Sequence, residues 1–378
     1  MSDTAPKWVI STQLTRRRFI QVTTLGLLAG RPLVASGQTK RLSGPIVVGS
    51  RGGYIGQAEK DIIWDPFSKK YGVEVIQQEA PTVDDIVKAQ VEARKVQLSY
   101  GWTTDRGYKP MIEKGYLEKI DYSKFSPDAK RVIDSMPKGT VRDYGIAIST
   151  IGVNVGYDKR KFPDGRPQPQ SWADFWDTQK FPGPRALINQ PFFNLEVALV
   201  ADGVDPAKLY PLDIERAFKK LGQIKPSIVK WWAAGAQAPQ LLIDGEAVMA
   251  MAYNGRLEAA IEEGAQVGYS WDGALTYHDY GIVPKGAPHL ETVWEALSFQ
   301  FEPEVAAAIS EKTRYPIPSP IAWQLAPKAK RDRWPSAPQN LSKLVKMDFL
   351  WWNEPSPGGG GKTNQEALTE RFNSFIVR

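Results

Sequence analysis

The stretch PIVVGSRGGYIGQAEKDIIWDPFSKKYG, residues 45–72, contains a short apolar segment, a glycine-rich turn and a longer amphipathic segment in succession. PIVVG predicts a buried strand, and the apolar side chains of the longer segment recur on one helical face until Gly72 ends it. The chain continues with a predicted strand (VEVIQQE), a predicted helix (TVDDIVKAQVEAR) and another predicted strand (VQLSYG). Strands that alternate with helices over short connections are typical of an open α/β sheet covered by helices.

A second alternation begins at a long β-rich run, GIAISTIGVNVGYD, residues 145–158. The segment RALINQ and the predicted strands AVMAMAY and TYHDYGIVP follow, separated by helical segments such as LDIERAFKKLGQIK. We find no internal repeat at a fixed period. A chain of 378 residues is long enough for two domains. The sequence therefore predicts an α/β protein with two domains.

The N-terminal stretch TRRRFIQVTTLGLLAGRPLVASGQ, residues 15–38, has the three regions of an export signal. Three arginines precede an apolar segment that is too short and too polar to span a bilayer, and small residues follow where a peptidase would cut. The pattern from Thr15 to Ile20 resembles the twin-arginine export signal. We therefore interpret residues 1–37 as a twin-arginine-type signal peptide that directs export to the periplasm, rather than as a disordered basic tail.

Charge and cysteine content exclude several classes of function. The chain has 48 basic and 42 acidic residues, but cleavage after Ser36 would remove five of the basic residues and one acidic residue. The small positive excess that remains does not support nucleic-acid binding. Because the chain has no cysteine, it can form no disulfide, thiolate nucleophile or cysteine-based zinc site.

No enzymatic motif is recognisable in the sequence. The two histidines, His278 and His289, lie in different settings without a third metal ligand in view, so we expect no zinc site. A G-x-S-x-G elbow of the serine hydrolases is absent, and GKT at residues 361–363 lacks the first glycine of a phosphate-binding loop. We expect no catalytic residue, no metal and no cofactor.

Aromatic and charged residues instead follow the predicted strands. The tryptophans on helical faces are best explained as core residues, but other aromatic residues lie just beyond strand ends, where open α/β sheets build ligand sites. Aromatic faces and a nearby carboxylate suit a small cationic ligand. The candidate residues are Arg51 and Tyr54 after PIVVG, Trp102, Thr104 and Asp105 at the end of VQLSYG, and Tyr253 and Arg256 after AVMAMA.

Five segments together resemble the polyamine-type solute-binding proteins of bacterial ABC importers, a group that includes relatives carrying γ-aminobutyrate. They are MIEKGYLEKIDYSK, TIGVNVGYDKRKF, PQSWADFWDTQKFPGPRAL, DGEAVMAMAYNGR and HDYGIVPKGAPHLETVWEALSFQFEPEVAAAISEKTRYPIPSP. The resemblance covers nearly all of the chain beyond the signal. It implies a two-lobed (type II) periplasmic binding protein, in which each lobe is an open mixed sheet flanked by helices and hinge strands join the lobes. Residues 38–149 and 278–378 would form one lobe, and residues 150–277 the other.

The resemblance also assigns site residues. Tyr253 matches a strand-end aromatic of the family. Tyr277 and Asp279 match the aromatic-x-Asp pattern of the strand that leads into the second crossover, and Tyr315 matches the tyrosine of a YP-P motif. Since the family aspartate grips an amine, Asp279 is the expected partner of a ligand ammonium.

The sequence departs from the polyamine pattern after RAL. Where members that bind long polyamines have acidic residues, this chain reads NQPFF, residues 189–193, so Gln190 and Phe193 complete the candidate site. A second cationic end of a ligand would be unmatched there, whereas Arg51 or Arg256 could hold a carboxylate. A zwitterion such as γ-aminobutyrate is therefore the favoured ligand, and a short diamine such as putrescine comes second. The adjacent tyrosine pair of iron-binding relatives is absent.

The sequence thus predicts the periplasmic solute-binding component of an ABC importer, a monomer that captures a small amine or amino acid by lobe closure. Its partners would be that solute and a membrane permease, without nucleic acid. Two alternatives remain open. One is an exported hydrolase that uses Asp279 and His278 as an acid–base pair, and the other is a sensor that docks on a receptor.

Overall fold

A computed structural model describes residues 42–80 and 82–377. The predicted signal peptide, residues 1–37, lies outside the described residues. The helices in these two ranges include none that is long and apolar enough to cross a membrane. The predicted α/β class is confirmed, because strands and helices alternate along the chain and the helices flank a mixed sheet.

Ten strands form one continuous sheet. They are β1 (Ile46–Ser50), β2 (Val75–Glu79), β3 (Leu98–Thr104), β4 (Val141–Arg142), β5 (Gly145–Asp158), β6 (Arg185–Ile188), β7 (Ile228–Trp232), β8 (Met249–Tyr253), β9 (Val267–Ile282) and β10 (Val345–Lys346). Eight of them follow the order β2-β1-β3-β9-β5-β8-β6-β7, while β4 pairs with β5 and β10 with β9.

The two longest strands join two parallel groups. β1 is parallel to β2 and β3, and β6 is parallel to β7 and β8. Between these groups lie β5 and β9, of 14 and 16 residues, which are antiparallel to each other. Their pairing shifts register between Ala147 and Ser149 and again between Val153 and Val155. Such irregularities bend a strand locally, so the joining strands change direction where they pass from one group to the other.

Each parallel group supports its own hydrophobic core. The first core draws its residues from 46–148 and 280–322, and the second from 153–275 and 345–372. The expected lobe boundaries remain a prediction, but these contacts modify them at the C-terminus. Val345, Phe349, Trp352 and Phe372 are buried in the second core, although we expected residues 278–378 to join the first lobe. No local pattern in the sequence indicates that the chain returns to the second core after residue 322.

The helices begin and end where the sequence favours it. One continuous helical segment runs from Gly53 to Tyr71, with a π-helical turn in its middle, and the left-handed Gly72 (φ 69°) ends it as predicted. Ser126 and Asp213 accept backbone N–H groups of the helices that follow them. Val83 precedes the helix that begins at Asp84, and no side chain caps this helix.

The α-helices are α1 (Gly53–Glu59), α2 (Asp65–Tyr71), α3 (Asp84–Glu92), α4 (Asp105–Glu113), α5 (Pro127–Asp134), α6 (Trp172–Trp176), α7 (Pro191–Ala201), α8 (Ile214–Ile224), α9 (Gln237–Ile243), α10 (Asn254–Glu262), α11 (Leu290–Gln300), α12 (Pro303–Thr313), α13 (Pro320–Leu325), α14 (Lys328–Arg331), α15 (Pro338–Leu341), α16 (Phe349–Trp352) and α17 (Asn364–Val377). The π-helical turn is Lys60–Trp64, and 3₁₀ turns occupy Tyr122–Lys124, Pro206–Lys208 and Lys225–Ser227.

Candidate ligand-binding site

A cavity of about 440 Å³, here called the central cavity, is lined by residues from the elements of both cores. Several of these residues come from strand ends, because the carboxyl ends of parallel strands meet at one edge of a sheet. Arg51 follows β1, Thr104 ends β3, Gln190 follows β6 and Tyr253 ends β8. The joining strand β9 contributes further side chains from its middle, so the cavity lies where the two halves of the molecule meet.

Ten of the twelve candidate residues line this cavity. They are Arg51, Trp102, Thr104, Gln190, Phe193, Tyr253, Arg256, Tyr277, Asp279 and Tyr315. Tyr54 does not line it, although the Arg256 guanidinium lies 5.0 Å from the centre of the Tyr54 ring. Asp105 does not line it either, since its carboxylate is ion-paired with Arg142 at 2.7 Å and borders a different cavity. Asp105 thus does not line the central cavity, and its role at the ligand site remains a prediction.

Asp279 is the acidic residue of the central cavity, and it is only 6% exposed. Its Oδ2 accepts hydrogen bonds from Arg51 Nη2 and Ser149 Oγ, each at 3.0 Å. Among the described residues, no hydrogen bond to its other oxygen, Oδ1, is present. Burial raises the pKa of Asp279, while Arg51 and Ser149 oppose the rise. A ligand ammonium at Oδ1 would lower the pKa of Asp279, as Arg51 does, and would thereby favour the charged carboxylate.

Arg51 is shared between two carboxylates. Its Nη1 donates to Glu59 Oε1 at 2.7 Å, and its guanidinium also lies 4.8 Å from the centre of the Trp102 ring. Burial raises the pKa of Glu59, and Arg51 opposes that rise. With all three groups ionised, the cluster of Arg51, Glu59 and Asp279 has a net charge of about −1. We had considered Arg51 as a carboxylate holder, but its two acidic partners already occupy it.

The other two arginines of the central cavity are differently placed. Arg256 lies over the Tyr54 ring, and Arg106 lies 5.1 Å from the centre of the Phe192 ring. Within the described ranges, neither guanidinium has a carboxylate oxygen within 4.0 Å. Asp84 is near enough for Arg106 to lower its pKa, but burial dominates and leaves that pKa raised. Arg106 and Arg256 thus present positive charge that no ion pair neutralises.

Aromatic rings form much of the cavity wall. The Phe193 ring stacks on Tyr277 at 5.6 Å and meets Tyr253 edge-on at 6.4 Å. Burial raises the pKa of Tyr253 to about 12 and the pKa of Tyr277 well above its ordinary value. Both phenols are therefore neutral at physiological pH. Their faces are suited to contact a cationic group.

Phe193 is held in a strained backbone conformation. Its φ of 72° and ψ of −48° are unusual for a bulky residue, and they kink the first turn of α7. A strain of about 1–3 kcal/mol is typical of such conformations, which persist where surrounding contacts fix them. Asn194 Nδ2 supplies such contacts by donating to the carbonyls of Ile188 and Gln190, both at 2.7 Å. The kink places the nearly buried Phe193 ring on the central cavity.

His278 lies on the other face of β9. Because successive strand residues point to opposite faces, Tyr277 and Asp279 line the central cavity while His278 borders a second cavity of about 500 Å³. His278 Nδ1 is 3.2 Å from Thr150 Oγ1, and burial lowers the pKa of this histidine to about 4. Asp279 and His278 therefore cannot act as an acid–base pair on one substrate, which argues against the hydrolase alternative.

Sequence reasoning missed six residues of the central cavity. Arg106 directly follows Asp105, and a helix turns by about 100° per residue, so Arg106 faces the cavity although Asp105 does not. Phe349 comes from the C-terminal segment, which showed no strand-end signal. The remaining missed residues are Ile55, Ile151, Phe192 and Gly235.

Within residues 42–80 and 82–377, no group of three or more His, Cys, Asp or Glu side chains is arranged to hold a metal ion.

Comparison with known proteins identifies the relatives of this chain. Residues 63–338 match the family described as bacterial extracellular solute-binding protein. The chain is 33% identical over 360 residues to the γ-aminobutyric acid-binding protein of Pseudomonas aeruginosa, with 93% of this chain and 96% of the relative covered.

Two solved structures are similar along most of the chain. An ABC transporter structure from Rhodopseudomonas palustris is 38% identical with a TM-score of 0.78, and the match covers 87% of this chain and 98% of that one. A structure described as a GABA receptor is 29% identical with a TM-score of 0.76, and the match covers 88% and 98%.

These relatives confirm the resemblance seen in the sequence, and they are substrate-binding proteins rather than enzymes. The two cores joined by long paired strands, with a cavity where they meet, are the features expected of a two-lobed (type II) periplasmic binding protein. The chain belongs to the bacterial extracellular solute-binding protein family.

Proposed function

We propose that this periplasmic solute-binding protein captures a small zwitterion of the γ-aminobutyrate type for an ABC importer. The observation that carries the proposal is the charge of the central cavity. One acidic residue, Asp279, and three basic residues, Arg51, Arg106 and Arg256, line it. Because Arg51 is already ion-paired, one carboxylate and two unpaired guanidiniums face the solute. That arrangement suits a ligand with one ammonium and one carboxylate.

The ammonium end would lie at Asp279. Its Oδ1 is the oxygen that the protein leaves without a hydrogen bond in the described residues, and the Tyr253 and Tyr277 rings lie on the same cavity. A charge-assisted hydrogen bond to a carboxylate, beside aromatic faces, is the usual way to hold an ammonium group. The net negative charge of the Arg51, Glu59 and Asp279 cluster favours a cation at this end.

The carboxylate end would lie at Arg256 or Arg106. A guanidinium binds a carboxylate through two parallel hydrogen bonds, and neither arginine is ion-paired with an acidic residue in the part of the chain that the structure describes. The γ-aminobutyric acid-binding protein of Pseudomonas aeruginosa and the solved GABA receptor are relatives whose names fit this ligand class. A diamine such as putrescine would place its second ammonium toward these two cations, because the lining of the central cavity offers no second carboxylate.

Binding would close two lobes around the solute. We propose that the lobes correspond to the two cores, so that the C-terminal residues 345–377 move with the second core rather than the first. The hinge would lie in β5 and β9, at their register shifts. Two cation–π contacts join elements of different cores: Arg256 of α10 lies over Tyr54 of α1, and Arg106 of α4 lies over Phe192 of α7. Closure would tighten these contacts.

The route of export and the mode of action complete the proposal. We propose that the chain leaves the cytoplasm through the twin-arginine pathway and acts as a monomer that delivers solute to a permease. Replacing Arg16 and Arg17 together by lysine keeps the charge but removes the arginine pair, so the precursor should stay in the cytoplasm. Normal periplasmic delivery of this variant would exclude the twin-arginine route. A sensor role would require, in addition, a receptor that binds the closed form.

Isothermal titration calorimetry on the mature protein tests the ligand class. γ-Aminobutyrate should bind more tightly than butylamine, which has no carboxylate, and more tightly than putrescine, which has a second ammonium. Tighter binding of putrescine than of γ-aminobutyrate would contradict the zwitterion proposal and favour a polyamine carrier. Turnover of none of the three is expected.

A further inference from the structure

Glu196 is a buried carboxylate behind the aromatic wall of the central cavity. It lies on α7, three residues after the strained Phe193, and it is fully buried. Glu196 does not line the cavity, so it cannot contact the solute in this arrangement. The proposed binding function does not account for a buried acid at this position. Acidic residues are seldom fully buried without an ionic partner.

Two side chains donate to the same oxygen of Glu196. The Tyr210 hydroxyl and the Trp352 indole N–H each lie 2.8 Å from its Oε1. The backbone N–H groups of Phe193 and Glu196 also favour its charged form. Oε2 is buried and has no hydrogen-bond partner among the described residues. Because Glu196 lies one turn after the Phe193 kink, its carboxylate joins this part of α7 to Tyr210 and to the short helix α16.

These partners support the rings that line the central cavity. The Trp352 ring meets the Phe192 ring edge-on at 6.1 Å, and Phe349, one turn before Trp352, contacts Phe192 at 6.1 Å and Phe193 at 6.2 Å. Phe192, Phe193 and Phe349 all border the cavity. A change at Glu196 would thus alter the aromatic wall of the cavity by shifting the Phe193 backbone and the Trp352 ring.

Resting on the binding function proposed above, we propose that Glu196 is a positioning residue: its charged carboxylate holds the Phe193 kink and the Trp352 ring, so that protonation of Glu196 loosens the aromatic wall and weakens solute binding. The charged oxygen is a stronger acceptor for N–H and O–H donors than a neutral carboxyl group is. By reciprocity, solute binding favours the charged form and releases a proton.

Burial raises the pKa of Glu196 to about 7, against the opposing effect of its hydrogen bonds. The titratable group that bonds to it is the Tyr210 phenol, whose own pKa burial raises far above the neutral range. The elements packed against α7 carry several charged groups. Arg185 of β6 donates to a backbone carbonyl, Glu366 of α17 accepts a hydrogen bond from Thr363, Lys219 of α8 is exposed, and Asp272 of β9 is ion-paired with Lys343. The remaining charged side chains are paired with other partners. These pairs are Asp174 with Lys180, Arg216 and Lys220 with Asp202, Arg371 with Glu215, Lys362 with Glu370, and Asp279 with Arg51. His278 of β9 faces the second cavity.

The test compares the native protein with the Glu196→Gln variant, in calorimetric titrations with γ-aminobutyrate between pH 6 and pH 8. Glutamine keeps an Oε1 acceptor for Tyr210 and Trp352 but is permanently neutral. The native affinity should rise by about tenfold over this interval, within the range typical of coupled sites. The variant should bind with the weaker affinity of the native protein at pH 6, and its affinity should depend less on pH.

The stability of the solute-free protein distinguishes a positioning role of Glu196 from a purely structural one. Burial raises the pKa of Glu196 in the folded protein above its value in the unfolded chain. Ionisation of Glu196 therefore lowers the free energy of unfolding as pH rises from the ordinary glutamate range to the folded-state pKa. At pH 8 the solute-free Glu196→Gln variant should therefore melt no lower than the native protein, while binding γ-aminobutyrate more weakly. A structural residue would lower both quantities.

Glu258→Gln is the matched control. Glu258 is also buried, bonds a tyrosine hydroxyl (Tyr269) and has a pKa that burial raises, but it is paired with Arg333 and does not line the central cavity. This variant should melt lower and keep the native affinity and its pH dependence. The same pH dependence in the native protein and in Glu196→Gln would overturn the role of Glu196.

Proton release provides a second measurement that needs only the native protein. Near pH 7, the observed heat of γ-aminobutyrate binding should vary with the ionisation enthalpy of the buffer in the sense of proton release. Absence of any release would overturn the proposal even if Glu196→Gln failed to fold. Absence of any γ-aminobutyrate binding to the native protein would instead contradict the binding function on which the proposal rests.

Discussion

Arg51 Nη2 lies 3.0 Å from Asp279 Oδ2, so the carboxylate that we assign to the solute ammonium is already ion-paired within the protein. Glu59 occupies the other side of the same guanidinium at 2.7 Å. The arginine thereby orients Asp279 and makes its burial tolerable, while the second carboxylate preserves a net negative charge for the incoming cation. Arg51 is thus better explained as a support for Asp279 than as a contact for the solute carboxylate.

We predict that Asp279→Asn weakens γ-aminobutyrate binding by about 2–4 kcal/mol, because the ammonium would face a neutral amide in a desolvated cavity. The solute-free protein should also lose about 1–3 kcal/mol of unfolding free energy, since the buried Arg51 loses one of its two acidic partners. Calorimetry and chemical denaturation measure the two effects. A lower unfolding free energy with unchanged affinity would show that Asp279 is structural only.

Arg256→Gln should weaken γ-aminobutyrate binding by about 1.5–3 kcal/mol, the value of a hydrogen bond to a charged group. Butylamine, which offers no carboxylate, should bind the variant and the native protein within about twofold of each other. Arg216→Gln is the control, because that arginine bonds Asp202 and does not line the central cavity. A different pattern would place the solute carboxylate at Arg106. In that case Arg256→Gln would leave the affinities for γ-aminobutyrate and butylamine unchanged, and Arg106→Gln would reduce only the affinity for γ-aminobutyrate.

The strand-end rule found five of the sixteen residues that line the central cavity. Arg51, Trp102 and Tyr253 line it because parallel strands bring their carboxyl ends together, which the alternation of strands and helices already indicated. Tyr277 and Asp279 came from the family resemblance alone, since they lie in the middle of a strand. The predicted strand TYHDYGIVP was also too short. Its observed beginning, Val267, precedes polar residues and the left-handed Gly273, which broke the apolar pattern.

The residues that the sequence could not supply depend on tertiary packing. Phe349 reaches the cavity because the C-terminal segment returns to the second core, a path that local patterns do not determine. The positive φ of Phe193 has no sequence signature, because a bulky residue seldom adopts it. The environment of Glu196 likewise depends on Tyr210 and Trp352, which lie elsewhere in the sequence.

We predict that Tyr253→Ala weakens γ-aminobutyrate binding by about 1–3 kcal/mol, through the loss of a cation–π face and of contact area. Tyr253→Phe keeps the ring and should bind with an affinity close to the native value. Tyr277→Ala should have a similar effect on affinity and should also lower stability, because it removes the ring stacked on Phe193. Unchanged calorimetric affinity in both alanine variants would place the solute elsewhere.

Gly255→Ala should impair the site although alanine is the better helix former. A Cβ at Gly255 would meet the Tyr315 ring at 2.4 Å, so the ring must move away from α10. Overpacking of this kind costs about 1–3 kcal/mol, and we expect a lower melting temperature together with weaker binding.

Gly222→Ala on α8 is the control. Apart from the neighbouring backbone of α8, no atom of the described residues lies within 4 Å of its Cβ position, so the substitution should be neutral or stabilising by up to about 1 kcal/mol. Native-like affinity and stability of Gly255→Ala would show that Tyr315 can shift without consequence for the site.

The crystal structure of the mature protein with γ-aminobutyrate tests the central claim most directly, because it locates both charged ends of the solute. The account predicts the ammonium within about 3 Å of the Asp279 carboxylate and the carboxylate within hydrogen-bonding distance of the Arg256 or Arg106 guanidinium. A solute bound in the opposite orientation, or outside the central cavity, would contradict it.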